Sequence, residues 1–263
     1  MAVSDAIVFY YSDLNASDVP TRRALGQKWV FWSLEPPTNF EMRPLLSWRT
    51  AINWTMTYRL DSDVLDTYGS VKRKAAPESY SIDHIRKIWM QKDIMAVWPV
   101  SHCNTFGQRE NFVEELRKYV RVDVYGDCGN YTCQPRGSKC HEELPENTSL
   151  FVFENTVCKD YVTEKFYLTI QFDIIPVTFG GADYKSFAPP HSYIDALAFK
   201  TPKDLADYLK HVKRDFRLYR KYFAWKGLYD VKHWEYYTYC NLCAKLYSTS
   251  FKEESVYPDI VHW

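Results

Sequence analysis

The chain lacks an apolar run long enough to cross a bilayer, and no leader-like segment follows Met1. Its opening, SDAIVFYYSD, reads as a strand already inside a domain, so on this evidence alone the chain is expected to be cytosolic or truncated. It also lacks net charge: 33 Lys and Arg balance 33 Asp and Glu, which leaves no overall basic field to recruit nucleic acid. No internal repeat, heptad or low-complexity tract is present. Cysteine is scarce and odd in number, seven in 263 residues, so at least one is free or pairs outside the chain. What the chain does have is 46% hydrophobic and 25% charged residues, a globular composition of one large or two ordinary domains. Aromatics reach 17%; most are accounted for as core, although aromatic faces also suit sugar rings.

The organisation is that of alternating strands and helices. Residues 1–91 hold apolar strands at 6–11, 28–34 and 54–58, a turn at Pro36-Pro37, and a charged stretch at 72–80 expected to be an exposed linker. Residues 92–263 open with a strand at 94–98. A helix follows at 109–119, with Phe112, Val113, Leu116 and Tyr119 on one face. A strand at 122–125 leads to a Gly/Pro-rich loop. Further on, Thr201-Pro202-Lys203-Asp204 predicts a capped helix start, with Leu205, Tyr208, Leu209 and Val212 on its buried face. Such alternation implies a parallel sheet in a doubly wound domain, and a helical tail ends the chain.

Cys128, Cys133 and Cys140 lie close together in YGDCGNYTCQPRGSKC, a loop suited to a local disulfide. Cys240 and Cys243 form a CxxC, which reads as a structural disulfide; a zinc site would need two further ligands, and only His233 and His262 lie nearby. His102 beside Cys103 makes no nucleophile pair, because adjacent residues at a strand end point apart. Four sequons, at Asn15, Asn53, Asn130 and Asn147, favour a lumenal protein; Asn53 adjoins a segment expected to pack, leaving Asn15, Asn130 and Asn147 as candidate glycosylation sites. Asp61-Ser62-Asp63 has the form of a DxD, yet it lies outside a nucleotide-binding βαβ context, and no catalytic metal is expected.

The most informative block is FVFENTVCKDYVTEKFYLTIQFDIIPVTFGG, residues 151–181. It reads as a strand, a polar loop, a helix opening at Thr163-Glu164-Lys165 and a second strand closed by Gly180-Gly181. That is half of a βαβ unit whose polar residues sit at a strand's carboxyl end, where open α/β sheets bind nucleotides. Lys165 supplies a cation for a phosphate and Glu164 an acceptor for sugar hydroxyls. The block resembles the donor-binding signature of the α1,3-fucosyltransferases, glycosyltransferase family 10. Other segments extend the likeness from FYYSDL to the C-terminal CxxC. KWVFWSLEPP resembles the family's strand ending in Leu-Glu-Ser-Pro, with Pro36 in place of Ser. NWTMTYRLDSD resembles an acceptor-side segment, with Leu60 where a second Arg is common. SHCNTFGQR resembles its Ser-Asn motif and following Arg, with His102 in place of Asn.

The resemblance implies an α/β fold of GT-B type: two Rossmann-like domains facing across a cleft, an acceptor-side one over 1–91 and a GDP-fucose-binding one over 92–263. It implies transfer of L-fucose from GDP-fucose to O3 of N-acetylglucosamine in an N-glycan or lactosamine-type acceptor. No cofactor is required, with a stimulatory Mn²⁺ left open. By the same resemblance Glu35 is the general base. Arg109 and Lys165 neutralise the departing diphosphate, and Ser101, Glu154, Asn155, Tyr161 and Glu164 line the donor pocket. The C-terminal CxxC is expected to pair internally or with upstream cysteines. Family members are Golgi type II membrane proteins, so an anchor, a stem and part of the first domain are expected to precede this chain. The alternative is a catalytically inactive glycan-binding or scaffold protein on the same fold.

Overall fold

The computed structural model describes residues 4–15, 17, 19–39, 45–91, 96–132, 149–233, 238–248 and 256–263. The chain divides into two compact units, Met1–Thr67 with Glu235–Trp263, and Tyr68–Trp234.

The first unit is built on four strands, β1 (Ala6–Tyr10), β2 (Lys28–Ser33), β3 (Trp54–Thr57) and β4 (Val64–Leu65). They lie side by side in that order, and every pairing is parallel. A parallel sheet covered on both faces needs strands that are apolar nearly throughout, which the KWVFWS and WTMT segments supply. One face packs Trp29 and Phe31 with Trp48, Ile52 and Ile260; the other packs Val30, Trp54, Met56 and Val64 with Leu242 of the helix Thr238–Leu246. Both layers therefore draw on the end of the chain.

The C-terminal tail supplies core side chains to the first sheet, and burying Leu242 and Ile260 there is what holds it.

In the second unit the chain runs β5 (Gly69–Arg73), α1 (Ile82–Met90), β6 (Ala96–Pro99), α2 (Arg109–Leu116), β7 (Val122–Tyr125) and β8 (Ser149–Phe153). It continues with α3 (Glu164–Thr169), β9 (Ile175–Phe179), β10 (Ile194–Asp195), α4 (Pro202–Arg214), α5 (Phe216–Lys221) and β11 (Tyr229–His233). Five strands form a parallel sheet in the order β10-β9-β8-β6-β7. The chain steps from β6 outward to β7 and then back past β6 to β8, so the topology reverses between β6 and β8. Ile85 and Ile88 of α1, Val113 and Leu116 of α2, and Leu205, Leu209 and Val212 of α4 join Trp98, Phe151, Phe153 and Val177 in one core.

Two local expectations change. The stretch 72–80 begins in a strand, because β5 pairs antiparallel with β11 through Lys72↔Asp230 and Arg73↔Tyr229. The helix expected over 109–119 ends at Leu116. By contrast, α4 starts as its sequence reads: Thr201 accepts from the Asp204 N–H at 3.2 Å, and Asp204 accepts from the Thr201 N–H at 3.1 Å.

Thr201→Ala removes one side of that reciprocal cap. It should lower unfolding stability by about 1 kcal/mol, measured by urea denaturation; an unchanged midpoint would show that the cap carries no weight.

Candidate functional site

Open α/β sheets bind ligands beyond the carboxyl ends of their strands where the strand order reverses. In the second unit that place lies between β6 and β8. Two loops leave the sheet there, residues 100–108 after β6 and 154–163 after β8. They carry most of the residues singled out in the sequence.

A main-chain contact ties the loops together. The Gly107 N–H donates to the Asn155 carbonyl at 2.8 Å, and a Cβ at Gly107 would stand only 3.1 Å from that oxygen. Thr105 braces the first loop by donating from its main-chain and hydroxyl groups to Glu110 at 3.1 and 2.9 Å. Beneath both loops lies Arg109, which opens α2 behind Gln108, a residue held in the left-handed region at φ 50°. Its guanidinium donates to the carbonyls of Phe153 and of His102 and faces the Trp98 ring. Arg109 is only 3% exposed, so it acts on the loops from below rather than offering its fork to solvent. Burial pulls the guanidinium below its ordinary pKa, opposed by the nearby Glu154 and Glu110 carboxylates.

Glu154 is the centre of the second loop and has no exposure at all. A buried carboxylate is tolerable only when its oxygens are filled, and here they are. Oε1 accepts the Thr163 N–H at 2.9 Å and its hydroxyl at 3.0 Å; Oε2 accepts the Lys165 ammonium at 3.2 Å. Lys165 also reaches the Thr163 hydroxyl at 2.8 Å and Glu164 at 3.3 Å, and its side chain remains 27% exposed. Burial works against the ammonium charge, but Glu154 and Glu164 more than offset it and raise the Lys165 pKa. Thr163 caps α3, as expected, by accepting from the Lys165 N–H. Asn155 presents a buried Oδ1 with no hydrogen-bond partner, at the same switch point. Tyr161 is 3% exposed and meets Tyr68 edge to face; Glu164 is half-buried in the first turn of α3. Ser101 is exposed.

Residues Ser101, Arg109, Glu154, Asn155, Tyr161, Glu164 and Lys165 thus fall on the two loops and the helices they lead into. Glu154 is placed as an internal carboxylate that holds Lys165 and Thr163, a role its position in the sequence did not announce.

Glu35 belongs to the first unit. It follows β2, and its main-chain N–H is held by the Ser33 hydroxyl at 3.1 Å while its carboxylate accepts from Asn39 at 2.8 Å. It borders an open concavity, together with Ser33, Thr57, Tyr58 and Arg59. The two DxD carboxylates are already engaged: Asp61 with the Arg59 fork at 2.7 and 2.8 Å, and Asp63 with the Thr55 N–H and the Tyr257 hydroxyl at 3.0 and 2.8 Å. Among the described residues no cluster of three or more His, Cys, Asp or Glu has metal-site geometry.

The cysteine expectations change most. Cys128 bonds to Cys103, a disulfide spanning 25 residues, and so joins the loop after β7 to the loop after β6. The sequence hid this pairing because Cys133 and Cys140 are nearer to Cys128 along the chain, whereas β6 and β7 are neighbours only in the sheet; Cys133 and Cys140 lie outside the described residues. Cys240 and Cys243 are exposed thiols inside the helix Thr238–Leu246, where continuous helical backbone fixes their Cβ directions and no bridge forms between them. Asn15 and Asn130 are exposed and Asn147 lies outside the described residues. Asn53 is buried, its side-chain oxygen accepting from the Trp29 N–H and Arg23 at 2.8 Å each. Gly107 and the Thr105–Glu110 brace went unread in the sequence; the one local signal was the glycine just before the helix.

A family model described as "Glycosyltransferase family 10 (fucosyltransferase) C-term" matches residues 89–263, and one described as "Fucosyltransferase, N-terminal" matches residues 1–69. Among curated proteins, the chain is 37% identical to Alpha-(1,3)-fucosyltransferase C of Drosophila melanogaster, covering 98% of this chain and 65% of that protein. It is 35% identical to Glycoprotein 3-alpha-L-fucosyltransferase A of the same organism, covering 81% of this chain and 43% of that one. The chain therefore spans about two thirds of the first relative's length and less than half of the second's. Among solved structures, an alpha1,3-fucosyltransferase crystallised with GDP-fucose superposes with a TM-score of 0.59 at 16% identity, covering 97% of this chain and 80% of that one. That likeness shows the fold, the α/β architecture of GT-B type.

Glu154→Gln keeps the shape and removes the charge. The raised Lys165 pKa adds stability below the unfolded lysine value of about 10.4, lost as pH rises through the higher folded value. In the variant, burial acts with less opposition, so the alkaline fall in stability should be smaller and end at lower pH, beside a loss of about 1–3 kcal/mol near neutrality. Urea unfolding across alkaline pH checks this; parallel profiles for the two proteins would contradict it.

Proposed function

This chain belongs to glycosyltransferase family 10, the fucosyltransferases, and we propose that it moves L-fucose from GDP-fucose to O3 of N-acetylglucosamine in a glycoprotein glycan. The observation that carries the reading is the carboxylate-organised cation at the switch point of the second sheet, Lys165 on Glu154, on loops that match the family's donor segment. The names of the similar proteins, fucosyltransferases acting at the 3 position, support the same reaction.

In this reading the GDP moiety lies over the loops after β6 and β8. Lys165, the partly exposed cation, reaches the diphosphate, and Arg109 adds positive potential from beneath while holding both loops. Glu164 accepts from the ribose hydroxyls, Tyr161 lines the pocket, and the buried Asn155 Oδ1 takes an N–H of the nucleotide. Ser101, exposed at the end of the first loop, completes the donor contacts. Glu35 acts on the acceptor. The acceptor O3 attacks the fucose anomeric carbon from the face opposite the phosphate, and the bond from that carbon to the phosphate oxygen breaks. GDP leaves with the electron pair, and Glu35 takes the O3 proton. Inversion follows from the single displacement. The cationic groups supply the neutralising charge, so no cofactor is required, and Mn²⁺ has at most a stimulatory part.

The acceptor is a GlcNAc-bearing N-glycan or lactosamine-type end, and the setting is the Golgi lumen. No helix among the described residues is long and apolar enough to cross a membrane.

Glu35→Gln tests the assignment. Transfer should fall by about 10²–10⁴ while GDP still binds with the parent affinity by calorimetry. Full activity in the variant would remove Glu35 as the base. A parent protein that binds GDP but transfers to no acceptor would make it an inactive binding protein on this fold.

A further inference from the structure

The concavity bordered by Glu35 has a wall that its neighbouring strands do not provide. Ser33, Glu35, Thr57 and Tyr58 come from the carboxyl ends of β2 and β3, whereas Val261 and Trp263 come from the end of the chain. Arg59 joins the two. Its guanidinium carbon stands 4.1 Å from the centre of the Trp263 ring, and Nη1 donates to the main-chain oxygen of Trp263, 204 residues away. Its other two nitrogens, Nε and Nη2, donate to the two oxygens of Asp61.

The wall is fastened before any ligand arrives. The Tyr257 N–H donates to the Ile52 carbonyl at 2.8 Å and the Ile260 N–H to the Arg49 carbonyl at 3.1 Å. Arg49 pairs with Asp259 at 2.6 Å, and the Tyr257 ring meets Trp263 edge on at 5.9 Å. An indole stacked by a guanidinium and met by a perpendicular ring has little freedom left to lose, so a ring that packs against it incurs a small ordering cost. The rest of the lining suits the same kind of guest. The Glu35 carboxylate borders apolar and aromatic side chains, Phe31, Leu45, Ile260 and Val261 among them, so one polar group and an apolar wall are there for a pyranose's hydroxyl edge and its C–H face. Charge narrows the choice. Among the described residues bordering the concavity, Glu35 and Arg59 carry charge, and the Arg59 charge is matched by Asp61. The balance is negative, which disfavours acidic glycans.

We propose that Trp263, held by Arg59 and Asp61, is the platform on which a neutral acceptor sugar packs beside Glu35, and that this pair sets acceptor specificity. The proposal rests on the transferase reading above and adds to it the residue that chooses the acceptor.

The test is steady-state kinetics of the full chain with donor and acceptor each varied at a saturating level of the other, the acceptors being an N-acetyllactosamine glycoside and its sulfated counterpart. W263A should raise the neutral acceptor KM roughly tenfold with the GDP-fucose KM unchanged, and W263F should recover most of the loss. D61N, which removes the negative charge that matches Arg59, should narrow the preference for neutral over sulfated acceptor several-fold. An unchanged acceptor KM in W263A, or equal rises in donor and acceptor KM, overturns the proposal. Saturation-transfer NMR of the same neutral glycoside separates the two readings. If the parent transfers nothing yet binds the glycoside, and W263A loses that binding, the platform stands and the transferase reading fails. If the parent does not bind it, or W263A binds it equally, the platform is wrong.

Discussion

A carboxylate with no exposure has to be answered on every side, and Glu154 is answered by the Thr163 N–H, the Thr163 hydroxyl and the Lys165 ammonium. That requirement shapes the second unit's site. It sets where α3 begins, because the residue that satisfies Glu154 is also the helix cap. It anchors Lys165 at the switch point while leaving part of the side chain open to solvent. Arg109 does related work from below, clamping the carbonyls of Phe153 and His102 so that the two loops leave the sheet at a fixed separation. The result is positive charge held in advance of any ligand, the condition under which an anionic leaving group is stabilised without reorganisation.

The first unit is ordered by a different constraint. A four-stranded parallel sheet buries apolar side chains on both faces, and its own segment does not cover them fully. The tail does, through Leu242 on one side and Ile260 on the other. Covering the sheet brings Trp263 over Arg59, so a packing need and the shaping of the Glu35 concavity have one cause.

Sequence reading succeeded where the physics was local. The strands at 28–33 and 175–179 follow from apolar runs, and α4 follows from a reciprocal Thr201–Asp204 cap visible within four residues. The family likeness brought Glu154, Glu164 and Lys165 to notice together, and all three lie at one place in the fold. What stayed hidden was long-range. Nothing near Gly69 signals that it will pair with His233, and nothing in the CxxC says that its helix will hold both sulfurs apart. Cys103 finds Cys128 only because β6 and β7 are adjacent in the sheet. Burial was equally illegible: nothing in the two polar motifs says that Arg109 and Glu154 are interior groups.

The central claim is that the loops around Glu154 form the nucleotide site. Hydrogen–deuterium exchange of the full chain with and without saturating GDP tests it most directly. The account predicts added protection at the amides of residues 101–109 and 154–165, with the strands of the first sheet unchanged. Protection confined to the first unit, or none in those two loops while GDP is bound, would contradict it.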